Sequence, residues 1–181
     1  MAVYPIYKSR HAGANPEAAQ ETPVPQSEKY SWEWFQQPDA QPVEGQAHIE
    51  LTTAERPLML TESENEEKPY VWSILLFAQE TNGVSFTMEK VTEVYFNNEK
   101  LPMQTAEMTA NEIEWYWYST RLEAGGTTSY ATDRPADGGI GYGVAVEGKD
   151  DNGNELTFKL YIPFSSEIKP ELTPEDFTGE A

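Results

Sequence analysis

The chain has 181 residues and no Cys, and its 12 Lys and Arg against 31 Asp and Glu give a formal charge of −19. This length predicts one domain with tails, and the lack of Cys excludes disulfides, thiolate nucleophiles and Cys-type zinc sites. The acidic balance argues against binding to nucleic acid or to an anionic membrane surface, and no apolar run approaches the roughly 18 residues of a membrane span.

Residues 1–45 are rich in Pro, Glu and Gln and show neither a strand period nor a helix period, which is typical of an extended arm or linker. Near the end of this arm, an extended conformation would place Tyr30, Trp32 and Trp34 on one face. Each large ring costs about 2 kcal/mol to leave in water. We therefore expect residues 30–35 to dock on the domain or on a partner, with Trp32 and Trp34 as candidate binding residues.

Strand patterns begin after this arm. Residues 70–78 are apolar on both faces, which predicts a central strand. Residues 84–96 alternate, but the phase breaks around Glu89 and Lys90, which predicts a β-bulge. The Asn152-Gly153 pair, followed by alternating apolar residues, predicts a tight hairpin.

The middle of the chain is less regular. Residues 113–122 resemble a long aromatic strand, with Ile113, Trp115 and Trp117 on its buried face. Tyr116 and Tyr118 then lie on the opposite face and are candidate binding residues. The only helical pattern is short and covers residues 102–110, and residues 123–139 resemble a long loop.

About seven short strands with frequent turn signals predict an all-β protein, an immunoglobulin-like antiparallel β-sandwich over residues 46–168. The extended arm would precede it, and a short acidic tail, residues 169–181, would follow. The paired Cys of true immunoglobulin domains are missing, and Trp72 is a candidate to fill the core. Function does not follow from such a fold.

The loop residues Tyr130, Asp133, Arg134 and Asp137 form another candidate binding group, because long ordered loops often carry function. Two acids and an Arg more commonly make a local ion pair. The loop has no phosphate-binding or nucleophile motif. With only two His in the chain, we expect no enzyme, and a glycosidase based on paired carboxylates is the least favoured alternative.

The turn residues Asp150, Asp151 and Asn154 offer the oxygen ligands that Ca²⁺ prefers. However, the EF-hand spacing is absent, and a tight hairpin requires Asn-Gly for its own geometry. A structural turn is favoured, a Ca²⁺ site is the alternative, and we expect no other cofactor.

These observations favour a non-catalytic β-sandwich that acts through protein–protein contact, in adhesion, assembly or accessory binding. The alternative is a carbohydrate-binding module that uses Tyr116, Tyr118 or Tyr130. The lack of Cys and of glycosylation sequons fits a bacterial surface protein or a viral structural protein. We expect an extracellular or cell-surface mature form whose leader is removed, with cytoplasmic and virion-associated locations as the open alternatives.

Overall fold

The computed structural model describes residues 29–169. The predictions made for residues 1–28 and for the acidic tail after Lys169 lie outside this range. The described chain consists mainly of strands, with two short helices. The helices are α1 (Trp32–Gln36) and α2 (Ala110–Tyr116), and the strands are β1 (Ile49–Thr53), β2 (Leu58–Glu62), β3 (Tyr70–Glu80), β4 (Phe86–Asn97), β5 (Pro102–Met108), β6 (Arg121–Leu122), β7 (Thr127–Pro135), β8 (Gly139–Asp150) and β9 (Glu155–Ile168).

The strands form one mixed sheet in the order β1-β3-β2-β9-β8-β4-β5, with β6 on β4 and β7 on β3. We call β1, β2, β3 and β7 the β3 group, and β4, β5, β6, β8 and β9 the β4 group. Pairing within each group is antiparallel, and the two groups join where β2 runs parallel to the end of β9. The all-β prediction is confirmed, but the expectation of purely antiparallel pairing is wrong at this junction.

The hydrophobic core takes its side chains from both groups. Leu76 on β3 and Val144 on β8 are completely buried in the same cluster, and Trp72 is 5% exposed. The Trp72 ring stacks on Phe164 at 4.2 Å between centroids, and its Nε1 donates to the Ser165 carbonyl at 3.0 Å. Trp72 therefore fills the core, as its sequence position suggested.

A second, smaller cluster lies on the opposite face of the β4 group, where α1 packs. Phe35 is buried against Phe96, at 5.8 Å between ring centroids, and sits above Gly143. A Cβ on Gly143 would lie 2.6 Å from the Phe35 ring, so only glycine leaves room for it. The predicted extended conformation of residues 30–35 is wrong, because Ser31 accepts the Trp34 N–H at 3.1 Å and caps a helix.

Several strand predictions are confirmed. Residues 70–78 lie within β3, which is paired on both sides. The register of β4 against β8 shifts between Met88 and Lys90, where the bulge was expected. The turn between β8 and β9 contains Gly153 with a φ of 85°, as a tight hairpin requires.

Three predictions for the middle of the chain are wrong. Residues 113–122 contain most of α2 and the two-residue β6, not one long strand. Residues 102–110 form mainly β5, since the edge position in the sheet outweighs their helix-forming side chains. The expected loop 123–139 contains β7, whose polar residues fill an edge strand with only Tyr130 buried.

The buried carboxylate of Glu80 holds the loops at one end of the sheet. Glu80 is completely buried and accepts backbone N–H groups of His48, Asn82, Gly83 and Gly125 at 2.8–3.3 Å. Burial alone would raise the pKa of Glu80, but these four donors lower it below its ordinary value.

No helix in residues 29–169 is long and apolar enough to span a membrane.

Candidate functional site

The most exposed aromatic residues of the described chain lie on and just after α2. Trp115 is 69% exposed, Tyr118 is 67% exposed and Tyr116 is 43% exposed. We call these three residues the aromatic surface. Exposed rings of this size commonly anchor binding partners, because they bury a large apolar area and retain a polar group.

Helix α2 positions the aromatic surface. Thr109 and Glu112 form a capping box at its start, with the Thr109 N–H donating to the Glu112 carboxylate at 2.8 Å. Ile113 and Trp117 are completely buried and lie four residues apart, so they share one face of the helix. Trp115 therefore points away from the core, contrary to its predicted place on a buried strand face.

Tyr130 does not belong to this surface. It is 5% exposed and stacks on the buried Trp117 ring, with 5.3 Å between centroids. The Tyr116 ring contacts Tyr130 edge-on at 6.2 Å, which links the aromatic surface to the core. The structure thus makes Tyr130 a support for the site, and neither sugar nor protein can reach its ring.

The charged residues of the segment that carries the aromatic surface are acidic. Residues 101–118 contain Glu107, Glu112 and Glu114 and no Lys or Arg. All three acids are exposed. Glu107 pairs with Lys90 at 3.3 Å, and Glu114 accepts the Thr120 N–H at 2.8 Å. An acidic and aromatic surface suits a partner that presents apolar groups flanked by positive charge.

Trp32 and Trp34 are half-buried on the β4 group. Lys100 Nζ lies 4.0 Å from the centre of the Trp32 ring, and Lys159 Nζ lies 4.8 Å from the centre of the Trp34 ring. Lys29 and Tyr30 fix the start of this segment, because both donate to the Glu147 carboxylate. These rings therefore cover the chain's own sheet.

The predicted trio Asp133, Arg134 and Asp137 does not come together. Arg134 pairs with Glu93 at 2.7 Å, Asp133 accepts the Ser73 hydroxyl at 2.8 Å, and Asp137 accepts the Tyr95 hydroxyl at 2.8 Å. Burial, followed by the Asp137 carboxylate, raises the pKa of Tyr95. The arrangement is a structural ion pair with separate polar contacts.

The predicted metal ligands are used by the protein itself. Asp150 is 5% exposed, and its carboxylate accepts N–H groups from Ala47, Asn152 and Asn154 at 2.9–3.2 Å. Asp151 forms a bidentate ion pair with Arg121, with N–O distances of 2.8–2.9 Å. In the part of the chain that the structure describes, no group of three or more His, Asp or Glu could hold a metal ion.

The outward position of Trp115 was not predicted, because in a strand alternate residues share a face. The signal that identifies it is local. Thr109 and Glu112 have the capping-box spacing that begins a helix, and a helix places Ile113 and Trp117, but not Trp115, on one face.

No family model matches this chain, and no curated protein matches it. Among solved structures, a Bordetella pertussis protein provisionally named ApaA is 13% identical across 70% of this chain and 98% of its own length, with a TM-score of 0.49. A structural-genomics target solved by X-ray crystallography is 11% identical across 76% of this chain and 95% of its own length, with a TM-score of 0.41. Similarity at this level assigns no function to the chain.

Proposed function

We propose that this chain is a non-catalytic, extracellular or surface-located binding module that acts through protein–protein contact at the aromatic surface. The observation that carries this proposal is the exposure of Trp115 on α2, at 69%, and of Tyr118 just after α2, at 67%, next to Ile113 and Trp117, which are completely buried. A rigidly supported, exposed Trp is the residue type that most often dominates a protein interface.

We assign the fold to the immunoglobulin-like sandwich class as part of the same proposal. The buried side chains of the β3 group and the β4 group form one cluster, which supports two layers around a common core. In such a fold, connecting elements carry the binding residues on a stable frame. Helix α2, which connects β5 and β6, occupies such a position.

The partner should present a surface that is apolar at its centre and basic at its edge. Glu112 and Glu114 belong to the same helix as Trp115 and Tyr116, and the whole chain carries −19. Electrostatic attraction between such surfaces speeds encounter and weakens as salt increases. We therefore expect association that is faster at low salt and that does not extend to nucleic acid.

The experiment compares three immobilised proteins in an extract of the source organism: the native chain, the double variant Trp115→Ala/Tyr118→Ala, and the control Leu101→Ala/Met103→Ala. The control removes two side chains that are each 44% exposed and lie outside α2. Proteins that bind the native chain and the control, but not the variant Trp115→Ala/Tyr118→Ala, would support the proposal. Identical capture by all three would contradict it.

A carbohydrate-binding module is the second candidate, because exposed Trp and Tyr side chains also stack on sugar rings. The same three proteins on a glycan array separate the two functions. Glycan binding that disappears in Trp115→Ala/Tyr118→Ala would replace the protein partner with a carbohydrate.

A further inference from the structure

Trp115 differs from the other Trp residues of the chain in what its ring contacts. Trp72 and Trp117 are buried and stack on other aromatic rings. Trp32 and Trp34 lie outside the main core, and a Lys Nζ lies over each ring, at 4.0 and 4.8 Å from the ring centre. In the part of the chain that the structure describes, the exposed Trp115 ring contacts neither an aromatic ring nor a cation.

Helix α2 places carboxylates beside this ring. Glu112 precedes Trp115 by three positions, so the two residues are neighbours on the helix surface. Helical side chains lean towards the start of their helix, which directs the Trp115 ring towards the turn that contains Glu112. Glu114, which directly precedes Trp115, is also exposed. An exposed ring therefore has two acids within one turn of the helix.

Both carboxylates are held in place by one oxygen and keep the other oxygen available. Glu112 Oε2 accepts the N–H and the hydroxyl of Thr109, each at 2.8 Å. Glu114 Oε2 accepts the N–H of Thr120 at 2.8 Å. Among residues 29–169, no group donates a hydrogen bond to Oε1 of either acid. Acceptors that are already positioned in this way lose little side-chain freedom when they bind a donor.

No cation of the described chain forms an ion pair with these two acids. The ion pairs within residues 29–169 all involve other carboxylates. Arg121, the nearest cation in sequence, is held by Glu123 and Asp151 at 2.8 Å each. The exposed ring and the uncompensated acids both attract a cation, the ring through its face and the acids through their oxygens.

We propose that Trp115, Glu112 and Glu114 bind an arginine side chain of the partner protein. The flat guanidinium would lie on the Trp115 ring, and the N–H groups at its edge would donate to the available carboxylate oxygens. Arg suits this arrangement better than Lys, because its five N–H donors lie in one plane and can reach two acceptors while the group stacks. This inference rests on the protein–protein function proposed above and names the residue that the partner supplies.

The test uses three tripeptides with blocked ends: Leu-Arg-Leu, Leu-citrulline-Leu and Leu-Lys-Leu. Citrulline has nearly the shape of Arg but is neutral. Binding is followed by NMR on the indole N–H signal of Trp115, which is identified by its absence from Trp115→Phe. We expect the Arg peptide to shift this signal with a Kd of about 1–10 mM. The citrulline peptide should bind about tenfold more weakly because it lacks the charge, and the Lys peptide should bind more weakly than the Arg peptide.

Glu112→Gln/Glu114→Gln should weaken binding of the Arg peptide by about tenfold, because both charged acceptors are lost. Gln at position 112 preserves the capping box, so α2 should remain folded. The matched control is Glu64→Gln/Glu66→Gln, which removes two exposed acids with the same spacing from the loop between β2 and β3. Equal losses in the two double variants would overturn the proposal, and so would equal binding of the Arg peptide and either of the other peptides.

Failure of this inference can be distinguished from failure of the proposed function. Suppose that no peptide shifts the Trp115 signal at roughly 20 mM, while proteins of the extract still bind the native chain and not Trp115→Ala/Tyr118→Ala. The arginine would then be excluded and the proposed function would stand, whereas identical capture by all three immobilised proteins would contradict that function. Peptide binding that appears only in Lys8→Gln/Arg10→Gln would also overturn the inference, because a cation of the same chain would then be the occupant.

Discussion

Arg134 on β7 donates a 2.7 Å hydrogen bond to Glu93 on β4, and this ion pair joins the two strand groups across the core. Glu93 also accepts the hydroxyl of Tyr142, which is completely buried. Burial and the Glu93 carboxylate together raise the pKa of Tyr142 well above its ordinary value. The cluster therefore contains one positive and one negative charge at neutral pH.

Removing one member of this pair should cost more than removing both. Arg134→Met removes the cation that pairs with Glu93 and leaves the Tyr142 hydroxyl as its hydrogen-bond donor, which we expect to lower the free energy of unfolding by about 3–5 kcal/mol. The double variant Glu93→Met/Arg134→Met should be clearly more stable than Arg134→Met, because no buried charge remains. Urea denaturation measures the free energy of unfolding of the native chain and of each variant. Asp133→Asn, at an exposed position, is the control. Additive losses would contradict the ion-pair account.

The periodic strands were predictable from the sequence because burial on one or both faces determines their pattern. Residues 70–78 and the bulge near Glu89 are examples. Helix α2 was not recognised, because Ile113 and Trp117 satisfy both a period of two and a spacing of four residues. Only the capping box distinguishes a helix from a strand here. Because the helix was not predicted, the outward position of Trp115 was not predicted either.

The polar contacts of the candidate sites were less predictable still. Arg134 is adjacent in sequence to Asp133, yet its partner is Glu93, which lies 41 positions away. Strand pairing decides this, and strand pairing depends on the whole sheet.

Acid should destabilise the fold through Glu80 and Asp150. Folding lowers the pKa of Glu80 from 4.5 and that of Asp150 from 3.8, because N–H donors outweigh the opposing effect of burial. A lowered folded pKa gives stability that is complete above the unfolded pKa and is lost as pH falls through the folded value. Urea midpoints should therefore decline below about pH 5.

Glu80→Gln tests this account directly. Both carboxylate oxygens accept N–H groups, so an amide nitrogen would face donors and leave them unsatisfied. We expect a loss of about 1–3 kcal/mol at pH 7, and the difference from the native chain should shrink at pH 3. The exposed loop variant Glu64→Gln is the control. A pH-independent difference would exclude the carboxylate as the cause.

Gly143 and Phe35 should be energetically coupled. Gly143→Ala places a Cβ 2.6 Å from the Phe35 ring and forces α1 to shift. We expect it to lower the melting temperature of the native chain, but to have little effect in a Phe35→Ala background, where the ring is absent. Phe35→Ala alone should cost about 3–5 kcal/mol. Gln36→Ala, on the exposed side of the same helix, is the control for α1.

Ca²⁺ should leave the hairpin turn unaffected. The Asp150 oxygens already accept N–H groups, and Asp151 is paired with Arg121. A bound ion stabilises a protein by mass action, so the melting temperature at about 5 mM Ca²⁺ should equal that at the same Mg²⁺ concentration. A Ca²⁺-specific increase that disappears in Asp151→Asn would instead establish a metal site.

Trp115 and Trp117 should respond oppositely to substitution, because α2 places one in solvent and the other in the core. Trp117→Ala empties a completely buried position and should cost about 3–5 kcal/mol. Trp115→Ala removes a ring that is 69% exposed and should change stability by less than about 0.5 kcal/mol. Trp115→Ala should also remove much of the Trp fluorescence that iodide quenches. The control Trp115→Phe should lose the same fluorescence, but it keeps an aromatic ring for partner binding. If Trp115→Ala destabilised the chain as strongly as Trp117→Ala, the two rings would share a buried strand face and the helix would be excluded.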